Sequence, residues 1–253
     1  MTDHLERAFS FLRRGDVRGT HEQPFRFGTA IFTPELPRRF DSNLLYVNRP
    51  VSSADELVSE ADRLFDEAGL AHRTLLFRDE AEGERLAGDL VSRHWEVDRH
   101  VIMVQLRGPE APVDTTGVAE VGHEGIRPAR RAMISTYPWG TPAVADQLLD
   151  YKALLAQWVA VRGFGALADG QVVSYADLYG DGADAQIEDV ATLPEHRGRG
   201  YAKAVVTRAA DEARAAGADF VFLVADENDW PKELYGRLGF DVVGRYVKLL
   251  LRS

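Results

Sequence analysis

The sequence predicts an α/β protein of the α+β type, with two lobes that each contain a sheet flanked by helices. Three observations support this prediction. Segments with the helical spacing of apolar residues alternate with short apolar runs that end at glycine, proline or aspartate. The 253 residues are enough for two domains of typical size. Residues 108–117, with Pro109 and Pro112, have the composition of a linker, so we place one lobe at 1–107 and the other at 118–253.

The elements of the first lobe follow from periodicity and from helix caps. The clearest signal is the capping box that starts at Ser53 and has Glu56 at its fourth position, followed by apolar residues at helical spacing and by Gly69 as a stop. Further helices are predicted at residues 3–14 and 80–94. Strands are predicted at 25–32, 44–47, 74–77 and 97–106.

The second lobe shows the same order of helix, strand, helix and strand at its end, which a divergent internal duplication explains. Its first two helices are predicted at residues 124–135 and 141–158. The dipeptide Asp169-Gly170 predicts a hairpin turn. Strands are predicted at 159–168, 172–179, 186–192, 220–224 and 241–251, with helices after Gly200 and at 229–238.

Composition excludes several classes of function. The chain has no cysteine, which excludes disulfides, thiolate metal sites and a cysteine nucleophile, and no histidine pair has metal-ligand spacing. We therefore expect no metal. A net charge of −10 argues against binding to nucleic acid or to an anionic membrane and is compatible with a cationic partner. The amino terminus lacks the apolar segment of a signal peptide, so we expect a cytoplasmic protein.

Residues 187–202 form the stretch that carries most chemistry: a strand, a basic glycine-rich loop and the start of a helix. Unpaired N–H groups and the positive end of the dipole favour a phosphate at such a helix N-terminus. Arg197 and Arg199 add positive charge, and Gly198 and Gly200 let a ligand approach closely. The glycine spacing fits neither a Walker loop nor a dinucleotide-binding fingerprint. A plain surface turn is the alternative interpretation.

Two motifs in this order resemble those of the GNAT acetyltransferase superfamily. Arg197, Gly200 and Ala202 match its R-x-x-G-x-[GA] signature. Asn228, Leu234-Tyr235 and Gly239-Phe240 then match N-x-x-A-x-x-L-Y-x-x-x-G-F, with Pro231 where alanine is usual. A proline is tolerated in the first turn of a helix.

The resemblance implies two GNAT-like lobes, each with a mixed, mostly antiparallel sheet, of which the first is degenerate because it lacks the basic loop. It also implies acetyl-CoA as acyl donor, bound by the second lobe. The residues expected to bind it are Val190, Ala191, Thr192, Arg197, Gly198, Arg199, Gly200, Tyr201, Ala202 and Asn228.

The resemblance further assigns roles in catalysis. Tyr235 corresponds to the tyrosine that protonates the departing coenzyme A sulfur, and a phenol and a thiol have pKa values close enough for this transfer. Glu188 and Asp189 resemble the pair of spermidine/spermine acetyltransferases, in which the glutamate is the base and the aspartate contacts the cationic acceptor. Tyr137 and Trp139 lie where family members line the acceptor pocket. Packing aromatics and solvated carboxylates are the alternatives.

We therefore expect an N-acetyltransferase that transfers an acetyl group directly to a primary amine of a small molecule. A tandem enzyme similar to mycothiol synthase and a noncatalytic acyl-CoA sensor are the rival interpretations. The sequence leaves the acceptor and a homodimer open.

Overall fold

The computed structural model describes residues 2–17 and 21–252. The helices, in chain order, are α1 Thr2–Val17, α2 Ala54–Glu67, α3 Glu80–Ser92, α4 Gly122–Ile134, α5 Pro142–Leu155, α6 Tyr201–Ala215 and α7 Pro231–Arg237. The strands are β1 His21–Phe25, β2 Gly28–Phe32, β3 Leu44–Val47, β4 Arg73–Phe77, β5 Glu96–Gln105, β6 Val118–Glu120, β7 Ala160–Ala168, β8 Gln171–Asp181, β9 Asp184–Thr192, β10 Phe220–Asp226 and β11 Phe240–Leu251. Single 3-10 turns span Phe40–Ser42 and Pro194–His196. In this described part of the chain, no helix combines the length and the apolar character that crossing a membrane requires.

The chain divides into two compact units, which we name by size. The larger unit contains Ile102–Ala225, Trp230–Val243 and the start of α1 up to Phe11. The smaller unit contains Leu12–Val101, Asp226–Asp229 and the chain from Gly244 onward. Strands β5 and β11 each have residues in both units, so no single position in the sequence separates the two units. Residues 108–117 contain no helix or strand, and their role as the linker between lobes 1–107 and 118–253 stays a prediction.

Each unit has a mixed sheet, as predicted. In the smaller unit the order includes β1-β2-β3-β4-β11, and only the pair β3–β4 is parallel among these. In the larger unit the order includes β10-β9-β8-β7-β6, and only β9–β10 is parallel among these. The fold class predicted from the sequence, a mixed and mostly antiparallel sheet with flanking helices, is confirmed.

One predicted strand is wrong. Residues 25–32 form the end of β1, a turn and β2, because the chain reverses between Phe25 and Gly28, which face each other in the ladder. Phe25 and Phe27 are both buried, so the apolar pattern resembled one continuous strand. The short strand β6 was not predicted, since three residues show no periodicity.

The capping box at Ser53 forms only in half. The Ser53 hydroxyl accepts from the backbone N–H of Glu56 at 3.3 Å and caps α2. The Glu56 carboxylate accepts instead from the Ser52 hydroxyl and pairs with Arg26. Gly69 ends the helix in a left-handed conformation, with φ +68°, as expected for a helix stop.

Helices cover both faces of the sheet in the larger unit. Helix α4 packs through Ile126, Ala129 and Met133 on the face that carries Tyr175. Helix α6 lies on the opposite face, where its Glu212 binds Arg162 of β7. The first face carries the side chains described next.

Candidate active site

A β-bulge shapes the middle of β9. The pairing between β8 and β9 steps from Tyr175 opposite Ala191 to Asp177 opposite Glu188. One residue of β8 therefore faces two residues of β9, the first of which is Asp189. Asp189 has φ +53°, a left-handed conformation that is uncommon outside glycine but most tolerated by Asn and Asp.

The bulge brings two neighbouring carboxylates to one face. Glu188 lies directly opposite Asp177, and opposed residues of antiparallel strands point to the same side. The carboxylate of Asp189 lies 2.6 Å from Nε of Arg130, which itself binds Asp177. Without a bulge, consecutive residues would point to opposite faces. The bulge therefore places the carboxylates of Glu188 and Asp189 on the same face of the sheet.

Four charged side chains form a buried group, which we call the ion cluster. Arg130 of α4 donates from Nη2 to Asp177 at 2.7 Å, and Nζ of Lys152 from α5 lies 3.0 Å from the other oxygen of that carboxylate. Lys152 also lies 3.6 Å from Asp189 and donates to the Tyr179 hydroxyl. Asp177 is fully buried and Arg130 is 2% exposed, whereas one-third of the Asp189 side chain is exposed.

The charges of the ion cluster hold one another ionised. Burial acts to raise the pKa of Asp177, but Lys152 and Arg130 outweigh it and hold this pKa below its ordinary value. Burial acts to lower the pKa of Lys152, but Asp177 and Asp189 outweigh it and hold this pKa above its ordinary value. Arg130, Lys152 and Asp177 thus remain charged although they are buried.

Aromatic rings and a histidine surround the ion cluster. The Arg130 guanidinium lies over the Tyr175 ring, 5.1 Å from its centroid. Burial raises the pKa of Tyr175 and of Tyr179, so both stay neutral. His123 lies 3.3 Å from Nη1 of Arg130, and burial together with this cation lowers the pKa of the histidine.

Glu188 is half-buried beside the ion cluster. Its carboxylate accepts from the Gln186 side chain at 2.7 Å, two residues earlier on the same face. The charge of Glu188 also acts to raise the pKa of Lys152. Glu188 thus adds a carboxylate beside the ion cluster.

Beyond β9 the chain forms the glycine loop, which we define as residues 193–200. Gly198 and Gly200 are both left-handed, with φ +76° and +83°. Gly200 is the N-cap of α6, and in the described part of the chain no side chain caps this helix. The first N–H groups of α6 therefore point out of the helix end without a side-chain acceptor.

Side chains of β8 and β9 fix the start of the glycine loop. The Ser174 hydroxyl donates to the carbonyl of Ala191 at 2.8 Å and lies 2.8 Å from the Thr192 hydroxyl. Nε of Arg197 donates to the carbonyl of Thr192 at 3.2 Å. Arg197 therefore folds back on the loop, and both Arg197 and Arg199 are exposed.

The residues of the second motif lie in different units. Tyr235 is buried in α7 of the larger unit, and its ring meets the edge of the Phe240 ring at 6.4 Å between centroids. Asn228 lies in the smaller unit and donates its backbone N–H to Asp226. Their predicted roles toward acetyl-CoA stay predictions.

Tyr137 and Trp139 form an exposed aromatic pair between α4 and α5. Their rings are parallel within 5° and 4.7 Å apart, and each residue is more than 40% exposed. They are therefore not packing aromatics of the core. Their predicted contact with an acceptor stays a prediction.

Sequence analysis missed Arg130, Lys152 and Asp177. A signal existed for the two cations, since Arg130 lies on the apolar face of α4 and Lys152 on that of α5. A lone charge on an apolar helix face is buried only with a counter-charge. The matching signal for the counter-charge is Asp177, a carboxylate among apolar residues of β8. Among the residues that the structure describes, no group of histidines and carboxylates has a metal-binding arrangement.

Comparison with known proteins finds a similarity in the second half of the chain. Residues 130–240 match the acetyltransferase (GNAT) family model. Streptothricin acetyltransferase of Streptomyces lavendulae is 36% identical over 88 residues, which are 34% of this chain and 45% of that protein. The chain thus aligns with less than half of this curated relative.

Solved structures share the fold over most of the chain. A functionally unknown protein of Staphylococcus epidermidis has a TM-score of 0.74 at 15% identity, covering 93% of this chain and 95% of its own. A GCN5-related N-acetyltransferase of Kribbella flavida has a TM-score of 0.64 at 19% identity, covering 96% and 93%. A tandem GNAT protein from the clavulanic acid biosynthesis pathway has a TM-score of 0.55 at 15% identity, covering 89% and 73%. At these identities the likeness concerns the fold alone. Residues 130–240 are thus similar to the acetyltransferase (GNAT) family.

Proposed function

We propose that the protein is an N-acetyltransferase that uses acetyl-CoA and transfers the acetyl group directly to a primary amine of a small molecule. The observation that carries this proposal is the glycine loop, with two left-handed glycines directly before the uncapped end of α6. Such an end presents N–H groups and a positive dipole to an anion. A pyrophosphate is the anion that the proposed donor supplies.

The residues of the loop fit this donor chemically. The N–H groups of Tyr201 and Ala202 begin the helix, and Arg199 adds a cation at the exposed tip. A Cβ at Gly198 would meet open space, so the loop leaves room for a ligand there. The proposed site comprises the loop and the end of β9 from Val190 to Thr192.

Acetyl transfer requires that the acceptor amine loses a proton and that the departing sulfur gains one. An alkylammonium with a pKa near 10.4 must lose its proton, which costs about 4.6 kcal/mol at pH 7. We assign this role to Glu188. As the amine nitrogen bonds to the acetyl carbon, the carbon–sulfur bond breaks, and we assign protonation of the sulfur to Tyr235.

The acceptor proposed here is a small cationic amine. The net charge of −10 favours approach of a cation, and Glu188 adds a carboxylate to the ion-cluster face. The curated relative is named for a small molecule, streptothricin, which supports a small-molecule acceptor. Tyr137 and Trp139 would offer aromatic faces to such a cation. The proposal includes a cytoplasmic location and a homodimer.

The test is an assay of free thiol release from acetyl-CoA with a panel of primary amines. We expect thiol release that depends on one class of amine. Glu188→Gln should lower it about 100-fold or more, the scale of general base catalysis. The control Asp146→Asn removes only a surface partner of Arg131 and should leave the rate unchanged. Coenzyme binding without thiol release on any amine would contradict the enzyme and favour the acyl-CoA sensor.

A further inference from the structure

We propose that Asp189 is a positioning residue, whose ion pairs with Arg130 and Lys152 fix the left-handed bulge and thereby direct Glu188 into the site. This inference rests on the proposed function and replaces the acceptor contact that resemblance gave to Asp189. The carboxylate lies 2.6 Å from Nε of Arg130 and 3.6 Å from Nζ of Lys152. The two cations come from α4 and α5, so the bulge is tied to both helices.

The charge balance explains why Asp189 is not available to an acceptor. Arg130 and Lys152 are almost fully buried and carry two positive charges. Asp177 is fully buried and supplies one counter-charge. Asp189 supplies the second, so its charge is neutralised within the protein. A cationic acceptor gains little from a carboxylate that already faces two cations.

The backbone explains why the ion pairs matter for Glu188. A left-handed conformation is unfavourable for an L-residue, so the bulge at Asp189, with φ +53°, needs compensation from tertiary contacts. Its ion pairs supply this compensation. If the bulge relaxed into regular strand, the alternation of side chains would move Glu188 or Asp189 to the face that α6 covers.

The test compares steady-state kinetics of Asp189→Asn with wild type. Asparagine keeps the size and the tolerance for positive φ but removes the charge. Positioning predicts that kcat falls at least about tenfold, because a displaced base loses its geometry, while KM for the amine stays within about threefold. An acceptor contact predicts the reverse, a raised amine KM with kcat retained, and this result would overturn the proposal.

The matched control is Asp169→Asn. Asp169 is also left-handed, with φ +50°, but it lies in the turn between β7 and β8. It therefore controls for the substitution at positive φ outside the ion cluster. We expect its kcat and KM to equal those of wild type.

Two further measurements cover the cases in which Asp189→Asn does not fold or wild type shows no activity. If Asp189→Asn does not fold, the double variant Asp189→Asn with Lys152→Met restores equal charges, and the same kinetic split applies to it. If wild type acetylates no amine, the proposed function fails, and cross-strand NOEs decide the structural claim separately. The NOEs that join residues 188–191 to β8 across the bulge should change in Asp189→Asn and persist in Asp169→Asn. An unchanged NOE pattern in Asp189→Asn would contradict positioning.

Discussion

At the scale of residues, the buried ion cluster makes the protein sensitive to single substitutions. Asp177 binds Arg130 and Lys152 at 2.7 and 3.0 Å, without exposure to solvent. Removing one member of such a group leaves a buried charge without its partner, which costs more than the group itself contributes.

We expect Asp177→Asn to lower the free energy of unfolding by about 3–5 kcal/mol, the range for breaking a buried pair. The control Asp146→Asn breaks the exposed pair with Arg131 and should cost at most about 1 kcal/mol. Urea unfolding measures both. Equal losses would show that the cluster is not buried in solution.

The ion cluster also predicts a pH dependence. The pKa of Asp177 is held down, so its stabilisation is present above its unfolded pKa near 3.9 and is lost as the pH falls through the folded value. The pKa of Lys152 is held up, so its stabilisation is present below about pH 10.4 and is lost as the pH rises further. The stability difference between wild type and Lys152→Met should therefore be constant from about pH 5 to 9. A difference that varies strongly within this window would contradict the assigned charges.

Tyr235→Phe tests the proposed acid. The ring packs beside Phe240, and phenylalanine keeps this packing while it removes the hydroxyl. We expect unchanged acetyl-CoA affinity and a fall in turnover of about 100- to 10,000-fold. Turnover at saturating acetyl-CoA within about threefold of wild type would mean that the tyrosine serves packing and that the acid lies elsewhere.

At the scale of elements, periodicity and caps predicted most helices and strands but not the bulge. Strand β9 was predicted as 186–192, yet nothing in its letters shows that Asp189 is left-handed. That conformation depends on Arg130 and Lys152, which lie at least 37 residues away in the sequence. The glycine loop was predictable because its glycines and arginines are local. Long-range charge pairs are the part that a single sequence does not reveal.

The glycines at two helix ends should differ in their tolerance of alanine. Gly69 after α2 and Gly239 after α7 are both left-handed, with φ +68° and +91°. A Cβ at Gly69 meets open space, whereas one at Gly239 would lie 2.2 Å from the carbonyl oxygen of Arg107. We expect Gly69→Ala to cost about 1 kcal/mol and Gly239→Ala several times more, as thermal unfolding can measure. Equal losses of stability in the two variants would show that the backbone near Arg107 moves to accommodate the added methyl group.

At the scale of the whole molecule, the two units resemble each other in their order of elements but not in their helix ends. Helix α2 is capped by the Ser53 hydroxyl, whereas α6 begins at Gly200 without a side-chain cap. When Leu90-Val91 is aligned with Leu234-Tyr235, Val91 takes the place of Tyr235. Val91 is half exposed, whereas Tyr235 is buried. We therefore predict that the lobe at residues 1–107 binds no acyl-CoA.

Calorimetric titration with acetyl-CoA tests the central claim most directly. We predict one molecule bound per chain in wild type. In Gly200→Asp, a negative charge beside the uncapped end of α6 should weaken binding at least about tenfold in a folded protein. The control Gly217→Asp places the same residue after the other end of α6, where φ is +96° and a Cβ meets open space, and should bind as wild type does. Two molecules per chain, or unchanged affinity in folded Gly200→Asp, would contradict the account.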